Sequence, residues 1–375
     1  MQKTVLVVGV QSKSLVNFRG HLLKKLIDKG YKVFAAANNI EQDKNTKTFL
    51  NQLGVETYNI PIARTGMNPL KDFFSMLSLI KAFFVLRPNI VLAYTIKPVI
   101  WGGIASLFFK NQKFIALITG LGFAFTGNGS FKRNTLRKLL SILYRISLKE
   151  ADAIIFQNHD DMNDFRKNGL VRPNKLCHVV NGSGVSLETF FFSPAERTKL
   201  NFLMISRLIG DKGVREYVEA GKILNKDNYV AHLNLVGPFD SNPDSLSKDE
   251  IRFWSKLKWF TWHGPTNDVI PYINKCSVFV LPSYREGTPR TVLEAMSIGR
   301  AIITSDAPGC RETVVPNKNG FLVPIKNPEE LSEAMKKFID SPSLIYSMGQ
   351  ESRTIAEKKY DVHKVNEKMI KILES

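Results

Sequence analysis

Cysteine is scarce in this chain of 375 residues, and Cys177, Cys276 and Cys310 lie far apart. An odd number with no CxxC pair supports neither a disulfide framework nor a cysteine zinc site, and it suits a reducing cytosol. The histidines (His21, His159, His178, His232, His263, His363) lack H-E-x-x-H or comparable spacing, so a histidine zinc centre is unsupported as well. No apolar run reaches the roughly 20 residues of a membrane-crossing helix. The nearest, 70–86, is interrupted by Lys71, Asp72 and Lys81. The apolar run 4–10 superficially resembles a secretion signal. Gly9 and the polar stretch 11–14 lead straight into a helical pattern, however, and a first β-strand is the better reading.

Acidic residues are scarce in one half only. The formal charge is +18. Residues 1–190 hold 26 Lys and Arg against 11 Asp and Glu, a net +15, while the remainder holds 26 against 23. One half therefore faces something anionic, with nucleic acid and an anionic membrane surface as the two candidates. Against nucleic acid, no recognition helix, zinc finger or aromatic RNA-binding motif is present.

What is present is alternation. Short β-branched runs at 4–8, 32–37, 55–60, 90–93, 113–117, 153–157 and 175–180 are separated by amphipathic stretches such as 15–29, 69–86 and 132–149. The pattern restarts with strands at 201–205, 231–236, 278–281, 301–304 and 320–323, and helices at 214–224, 289–298 and 328–339. This is the signature of parallel sheets with crossover helices, and the length suits two α/β domains better than one core. The join falls near 183–197, giving domains 1–190 and 191–375, the latter ending in helices. Ligands are expected at the carboxyl ends of both sets of strands, facing across a cleft.

The strongest constellation is Leu281-Pro282-Ser283-Tyr284-Arg285-Glu286-Gly287-Thr288-Pro289-Arg290-Thr291-Val292-Leu293-Glu294. A strand ends, a loop follows, and a helix starts with Thr288 as the expected N-cap and Pro289 in the first turn. The N–H groups of Arg290 and Thr291 then point out of a helix end suited to a diphosphate. Glu286 and Glu294 flank it, and a carboxylate there can accept hydrogen bonds from two neighbouring hydroxyls of a ribose or hexose. Taken singly, either glutamate is equally well explained as complementing the helix dipole; the pair around Gly287-Thr288-Pro289 is harder to explain so. A second element, Ser206-Arg207-Leu208-Ile209-Gly210-Asp211-Lys212-Gly213, also follows a strand. Arg207 and Lys212 can converge on one diphosphate and neutralise it without a metal, although alone they read as solvated loop cations.

With Asp306-Ala307-Pro308-Gly309-Cys310-Arg311-Glu312 downstream, these segments resemble the donor domain of the retaining glycosyltransferases of family 4, which have the GT-B fold. Glu286 and Glu294 match that family's E-x7-E motif. The resemblance covers essentially the second half. The first half carries it through Ser14-Leu15-Val16-Asn17-Phe18-Arg19, Thr95-Ile96-Lys97-Pro98 and Thr119-Gly120-Leu121-Gly122, in the manner of bacterial members that build glycans on polyprenyl-diphosphate carriers.

The resemblance implies that Glu294 binds the ribose, Glu286 the transferring sugar, and Arg207 and Lys212 the diphosphate. It implies a base pocket shaped by His263-Gly264 and the Val236-Gly237 turn, and a loop 9–17, with Ser14 and Asn17, closing over the phosphates. Lys97, Thr119 and Gly120 fall to the acceptor side. Many members place a histidine near the end of the fifth strand; here Thr119-Gly120 stands in that region, and backbone groups, Thr119 or another residue take its role.

Of the remaining motifs, Asp160-Asp161 with Asp164 fits dipole complementation at a helix start better than a metal cluster. The helix 132–149 interleaves Lys132, Arg133, Arg137, Lys138, Arg145 and Lys149 with leucines and isoleucines, and 69–86 is rich in phenylalanine. A basic amphipathic helix can lie in an anionic bilayer interface; the alternative is a core-facing helix with a solvated basic face. The expectation is thus an α/β, GT-B retaining glycosyltransferase on the cytoplasmic membrane face. It takes a UDP-sugar, by resemblance an N-acetylhexosamine donor, and a polyprenyl-diphosphate-linked acceptor, with no metal, cofactor or nucleic acid. Its rivals are a GT-B epimerase and a basic nucleic-acid-binding protein.

Overall fold

Runs of valine, isoleucine and alanine, buried on both faces, form two parallel sheets in the computed structural model, one in each of two units. The structure describes residues 2–63, 66, 68–120, 131–195, 200–227, 229, 231–242 and 244–375, the side chains of 131–133 excepted. Leu121 and Gly122 therefore lie outside the described residues.

The first unit comprises Met1–Ser183 and His363–Ser375. Its elements are β1 (Thr4–Gln11), α1 (Ser12–Asp28), β2 (Lys32–Asn38), α2 (Lys44–Gln52), β3 (Glu56–Asn59), α3 (Pro69–Leu86), β4 (Ile90–Tyr94), α4 (Ile96–Ser106), β5 (Lys113–Ile118), α5 (Phe131–Ser147), β6 (Ala153–Phe156), α6 (His159–Lys167) and β7 (Cys177–Val179). The strand order is β3-β2-β1-β4-β5-β6-β7. Asp160 and Asp161 sit in the first turn of α6, capped by Asn158.

The second unit, Gly184–Val362, runs β8 (Asn201–Ile205), a 3-10 turn at Gly210–Lys212, α7 (Val214–Lys226), β9 (His232–Val236), α8 (Lys248–Trp254), β10 (Phe260–Trp262), α9 (Ile270–Lys275), β11 (Val278–Leu281), α10 (Arg290–Ile298), β12 (Ala301–Ser305), β13 (Gly320–Val323), α11 (Pro328–Asp340) and α12 (Ser343–Ile355). Its order is β10-β9-β8-β11-β12-β13. The edge strand β10 carries no strand signal in the sequence, because three residues beside Lys256, Lys258 and Trp259 are too few for a period to show. Each sheet reverses its order once, at β1/β4 and at β8/β11. The loops leaving such a strand pair diverge to opposite faces and open a crevice at the carboxyl ends.

Two expectations about domains need correction. The division falls at 183/184, earlier than 190/191, and the last helix, α13 (Val362–Glu374), packs on the first unit. The reason is its apolar face: Met369, Ile370, Ile372 and Leu373 are buried with Val5, Leu22, Leu26 and Val33. Lys25–Glu367 at 2.9 Å and Lys29–Glu374 at 2.7 Å tie it to α1. Met369→Ala should cost the first unit about 2–5 kcal/mol, read as a lower urea midpoint; an unchanged midpoint would mean that this helix adds nothing to the core.

Candidate active site

In the second unit, the loops after β8 and β11 meet at the point where strand order reverses. Gly213 lies at φ +75°, and a Cβ there would stand 2.2 Å from the carbonyl oxygen of Pro282. Only glycine lets the turn before α7 approach the end of β11 so closely. The contact is extended by Tyr284 N–H, which donates to Asp211 O at 2.9 Å, and by Ser283 Oγ, which donates to the same oxygen at 3.1 Å. Gly309, also at φ +75°, does the same for the loop after β12: a Cβ would stand 2.2 Å from Glu286 O and 2.5 Å from Gly287 O. Glu286 N–H donates to Pro308 O at 3.0 Å.

Lys212 and Glu286 are thereby brought together, Nζ on Oε1, both mostly buried. Arg207 Nη1 pairs with the buried Asp240 Oδ2 at 2.8 Å. On α10, Arg290 Nε donates to Glu294 Oε1 at 2.8 Å. Burial pushes the Glu294 carboxyl above its ordinary range, and the Arg290 guanidinium opposes that rise. Each cation and carboxylate that the sequence assigned to the donor site thus has a partner of opposite sign.

Helix α10 starts one residue later than expected. Its N-cap is Pro289, not Thr288, and the Pro289 carbonyl accepts from Val292 at 3.1 Å and Leu293 at 3.2 Å. The N–H groups of Arg290 and Thr291 precede these first intrahelical bonds, as a helix end suited to an anion requires. The Thr291 hydroxyl donates to Ile205 O at 3.3 Å, joining α10 to the end of β8. Gly287 and Thr288 lie in the loop between the two glutamates.

The region expected to hold a base follows β9 and β10. Gly237 N–H donates to Gly264 O at 2.9 Å, and His263 N–H to Leu235 O at 2.9 Å. The His263 ring meets Asn234 Oδ1 at 2.8 Å and stacks edge-on against Tyr272. Burial, then His232 and Lys275, hold its pKa below the ordinary value, so the ring is neutral at pH 7.

In the first unit, β1 runs to Gln11, which still pairs with Asn38, and α1 starts at Ser12. The phosphate-covering loop expected over 9–17 is therefore the end of a strand and the opening turns of a helix. Ser14 Oγ shares a 2.7 Å hydrogen bond with the Tyr94 hydroxyl, and Asn17 is exposed on α1. Burial pushes Tyr94 up to about 12, against the pull of Ser14 and of Arg19, which lies 5.1 Å over its ring. Lys97 pairs with Asp72 at 2.7 Å, joining α4 to α3. Thr119 and Gly120 follow β5.

Comparison with known proteins decides the family. Residues 186–374 match the model for glycosyl transferases group 1, and residues 6–158 match glycosyl transferase 4-like. The chain is 30% identical to the N,N'-diacetylbacillosaminyl-diphospho-undecaprenol alpha-1,3-N-acetylgalactosaminyltransferase of Campylobacter jejuni, over 96% of this chain and 95% of that protein. This chain belongs to the group 1 glycosyl transferases. It is a retaining glycosyltransferase of family 4. The solved structures agree on a GT-B fold. Sucrose-phosphate synthase from Thermosynechococcus elongatus superposes with a TM-score of 0.80 at 17% identity, covering 100% of this chain and 98% of that one. The Anabaena protein HepE in complex with UDP gives 0.75 at 18% identity, covering 100% of both.

Within this glycosyltransferase, the sequence did not single out the carboxylate partners Asp240 and Asp72, or Tyr94 beneath Ser14. They lie 33, 25 and 80 residues from the groups they touch, and no local spacing reveals them. The Arg290–Glu294 pair did carry a signal, the i,i+4 spacing on a helix. Gly309→Ala should destabilise the protein by more than about 1 kcal/mol and slow glycosyl transfer with it, since the Glu286 loop must move off. A wild-type melting midpoint and a wild-type rate would show that the loop has slack.

Proposed function

We propose that this glycosyltransferase moves an N-acetylhexosamine from a UDP-sugar to a saccharide carried on a polyprenyl diphosphate. The site would serve the assembly of a bacterial surface polysaccharide or glycan at the inner face of the cytoplasmic membrane. The observation that carries this reading is the pairing of Lys212 with Glu286 across the loops leaving β8 and β11, with the Arg290–Glu294 pair on α10, the helix that follows the second loop. Its chemistry suits a sugar nucleotide: cations and a helix N-terminus for two phosphates, and two carboxylates for hydroxyl pairs. The Campylobacter relative supports the acceptor class and the aminosugar, and the HepE complex supports UDP.

In this reading Glu294 receives the ribose hydroxyls and Glu286 those of the transferring sugar. His263, Gly264 and Gly237 border the base, and Gly287, Thr288, Arg290 and Thr291 line the phosphates. An acceptor hydroxyl attacks the anomeric carbon as its bond to the diphosphate breaks. Charge growing on the leaving oxygen is stabilised by Lys212, Arg207 and the end of α10, fixed dipoles and charges that need no reorganisation. A leaving phosphate oxygen takes the acceptor proton, and the α configuration is kept. Lys212 and Arg207 arrive already paired with Glu286 and Asp240, so the incoming diphosphate shares cations that are held in place. No divalent ion is required. Incubation with UDP-N-acetylglucosamine or UDP-N-acetylgalactosamine and a polyprenyl-diphosphate-linked saccharide should yield an extended, α-linked lipid in the presence of EDTA. An epimerised nucleotide sugar, or activity lost to EDTA and restored by magnesium or manganese, would refute it.

Membrane docking belongs to the same proposal. Among the described residues no helix is long and apolar enough to cross a membrane. Helix α3 instead leaves Phe73, Phe74 and Phe84 half or more exposed, and α5 leaves Leu139, Ile142 and Ile146 exposed beside the partly exposed Arg137 and the exposed Lys138. Exposed aromatics beside basic residues are the composition of an interfacial surface. Lys97, Thr119 and Gly120, on the same unit, would then meet the acceptor. Vesicle co-sedimentation should require anionic lipid and weaken with salt. Replacing Arg133, Arg137 and Lys138 with glutamate should cost about 1 kcal/mol per charge. Binding that ignores lipid charge would leave the basic face as a solvated surface.

A further inference from the structure

A carboxylate taken out of water is costly unless it is paired and hydrogen-bonded. Glu294 is in that position: its side chain is 8% exposed, and the guanidinium of Arg290, 29% exposed, lies one helical turn back on α10 with Nε at 2.8 Å from Oε1. Four other cations of the elements packed near α10 are engaged elsewhere, Lys359 among them, which donates to Glu312 O. Arg300, past the end of the helix, donates to the carbonyls of Ile273, Asn274 and Ser193. Arg353 on α12 donates to the carbonyls of Phe190 and Ser297 and pairs with Glu357. Lys275 on α9 bears on His263. Among the described residues, the charged group that bears on Glu294 is Arg290.

We propose that the Arg290 side chain is a positioning residue of the donor site, balancing the charge of the buried Glu294 carboxylate and fixing its rotamer for the hydroxyl pair of the donor's ribose. This rests on the reading of Glu294 as the residue that receives those hydroxyls. An ionised carboxylate has about four acceptor positions, and one bond from Arg290 leaves room for two hydroxyls. A protonated carboxyl has fewer acceptors and adds a donor, and it suits a diol poorly.

The sign of the pH dependence follows. Burial raises the Glu294 pKa and Arg290 opposes it. Without the guanidinium, burial acts alone and the acid form persists to higher pH. Nucleotide affinity should then be retained above the raised pKa and lost as pH falls through it, by up to about tenfold per pH unit. With Arg290 in place the same loss begins at lower pH.

The experiment is UDP binding by calorimetry to the full chain across the neutral range, with each variant expressed as a ratio to wild type at the same pH. The ratio cancels the titration of the nucleotide's own phosphate. Arg290→Met should bind UDP more weakly at the acidic end, with the ratio recovering as pH rises, and Arg290→Lys should keep the ratio flat. If Arg290→Met does not fold, Arg290→Gln is read in its place. Wild-type affinity at every pH, or a deficit equal at every pH, overturns the proposal, since a side chain that only packs or only touches phosphate produces the latter. Glu294→Ala separates the two levels of argument. If it binds UDP normally, the reading of Glu294 itself fails. If it binds weakly while the Arg290 variants bind normally at all pH values, only the positioning role is lost.

Discussion

Backbone contact between three loops is the constraint on which the second unit's chemistry depends. Gly213 rests on Pro282 and Gly309 rests on Glu286 and Gly287, in each case at a distance a Cβ would occupy. Because these are main-chain contacts, they set the spacing of Lys212, Glu286 and the start of α10 before any side chain chooses a rotamer. Hydrogen bonds from Ser283 and Tyr284 to Asp211 O, and from Glu286 N–H to Pro308 O, hold the same spacing. A site for a transition state that develops charge needs such rigidity, because groups that must reorganise during the reaction stabilise it less.

On this frame the site is charge-balanced. Lys212 with Glu286, Arg207 with Asp240, and Arg290 with Glu294 are pairs in which at least one member is largely buried. An unpaired buried charge would be expensive, whereas a partner of opposite sign offsets that cost and holds both groups in register. The arrangement tolerates low solvent access, and it holds charged donors and acceptors in place as the proposed donor site requires.

The first unit is organised differently. Its sheet is closed on one side by the chain's own last helix, whose Met369, Ile370 and Leu373 complete a core begun by Val5 and Leu22. On α3 and α5 it exposes phenylalanine, leucine and isoleucine among cations. The asymmetry of charge between the halves, so plain in the composition, thus coincides with an asymmetry of exposed apolar surface.

Much of this was legible from the chain alone. Strand and helix alternation, the two-sheet architecture, the paired glutamates and the Lys-Gly step are local patterns, set by side-chain period and by the φ that glycine permits, and a sequence states local patterns directly. The register of α10 was misplaced by one residue at Thr288, since proline can occupy either side of a helix start. β10 was missed for being too short to show a period. Tertiary structure alone decided that the final helix returns to the first unit, that residues 9–17 are a strand end and a helix start, and that Asp240, Asp72 and Tyr94 stand against Arg207, Lys97 and Ser14. Those outcomes depend on which apolar faces and which charges meet across tens or hundreds of residues, and burial and pairing energies act on distance in space, which the order of residues does not record.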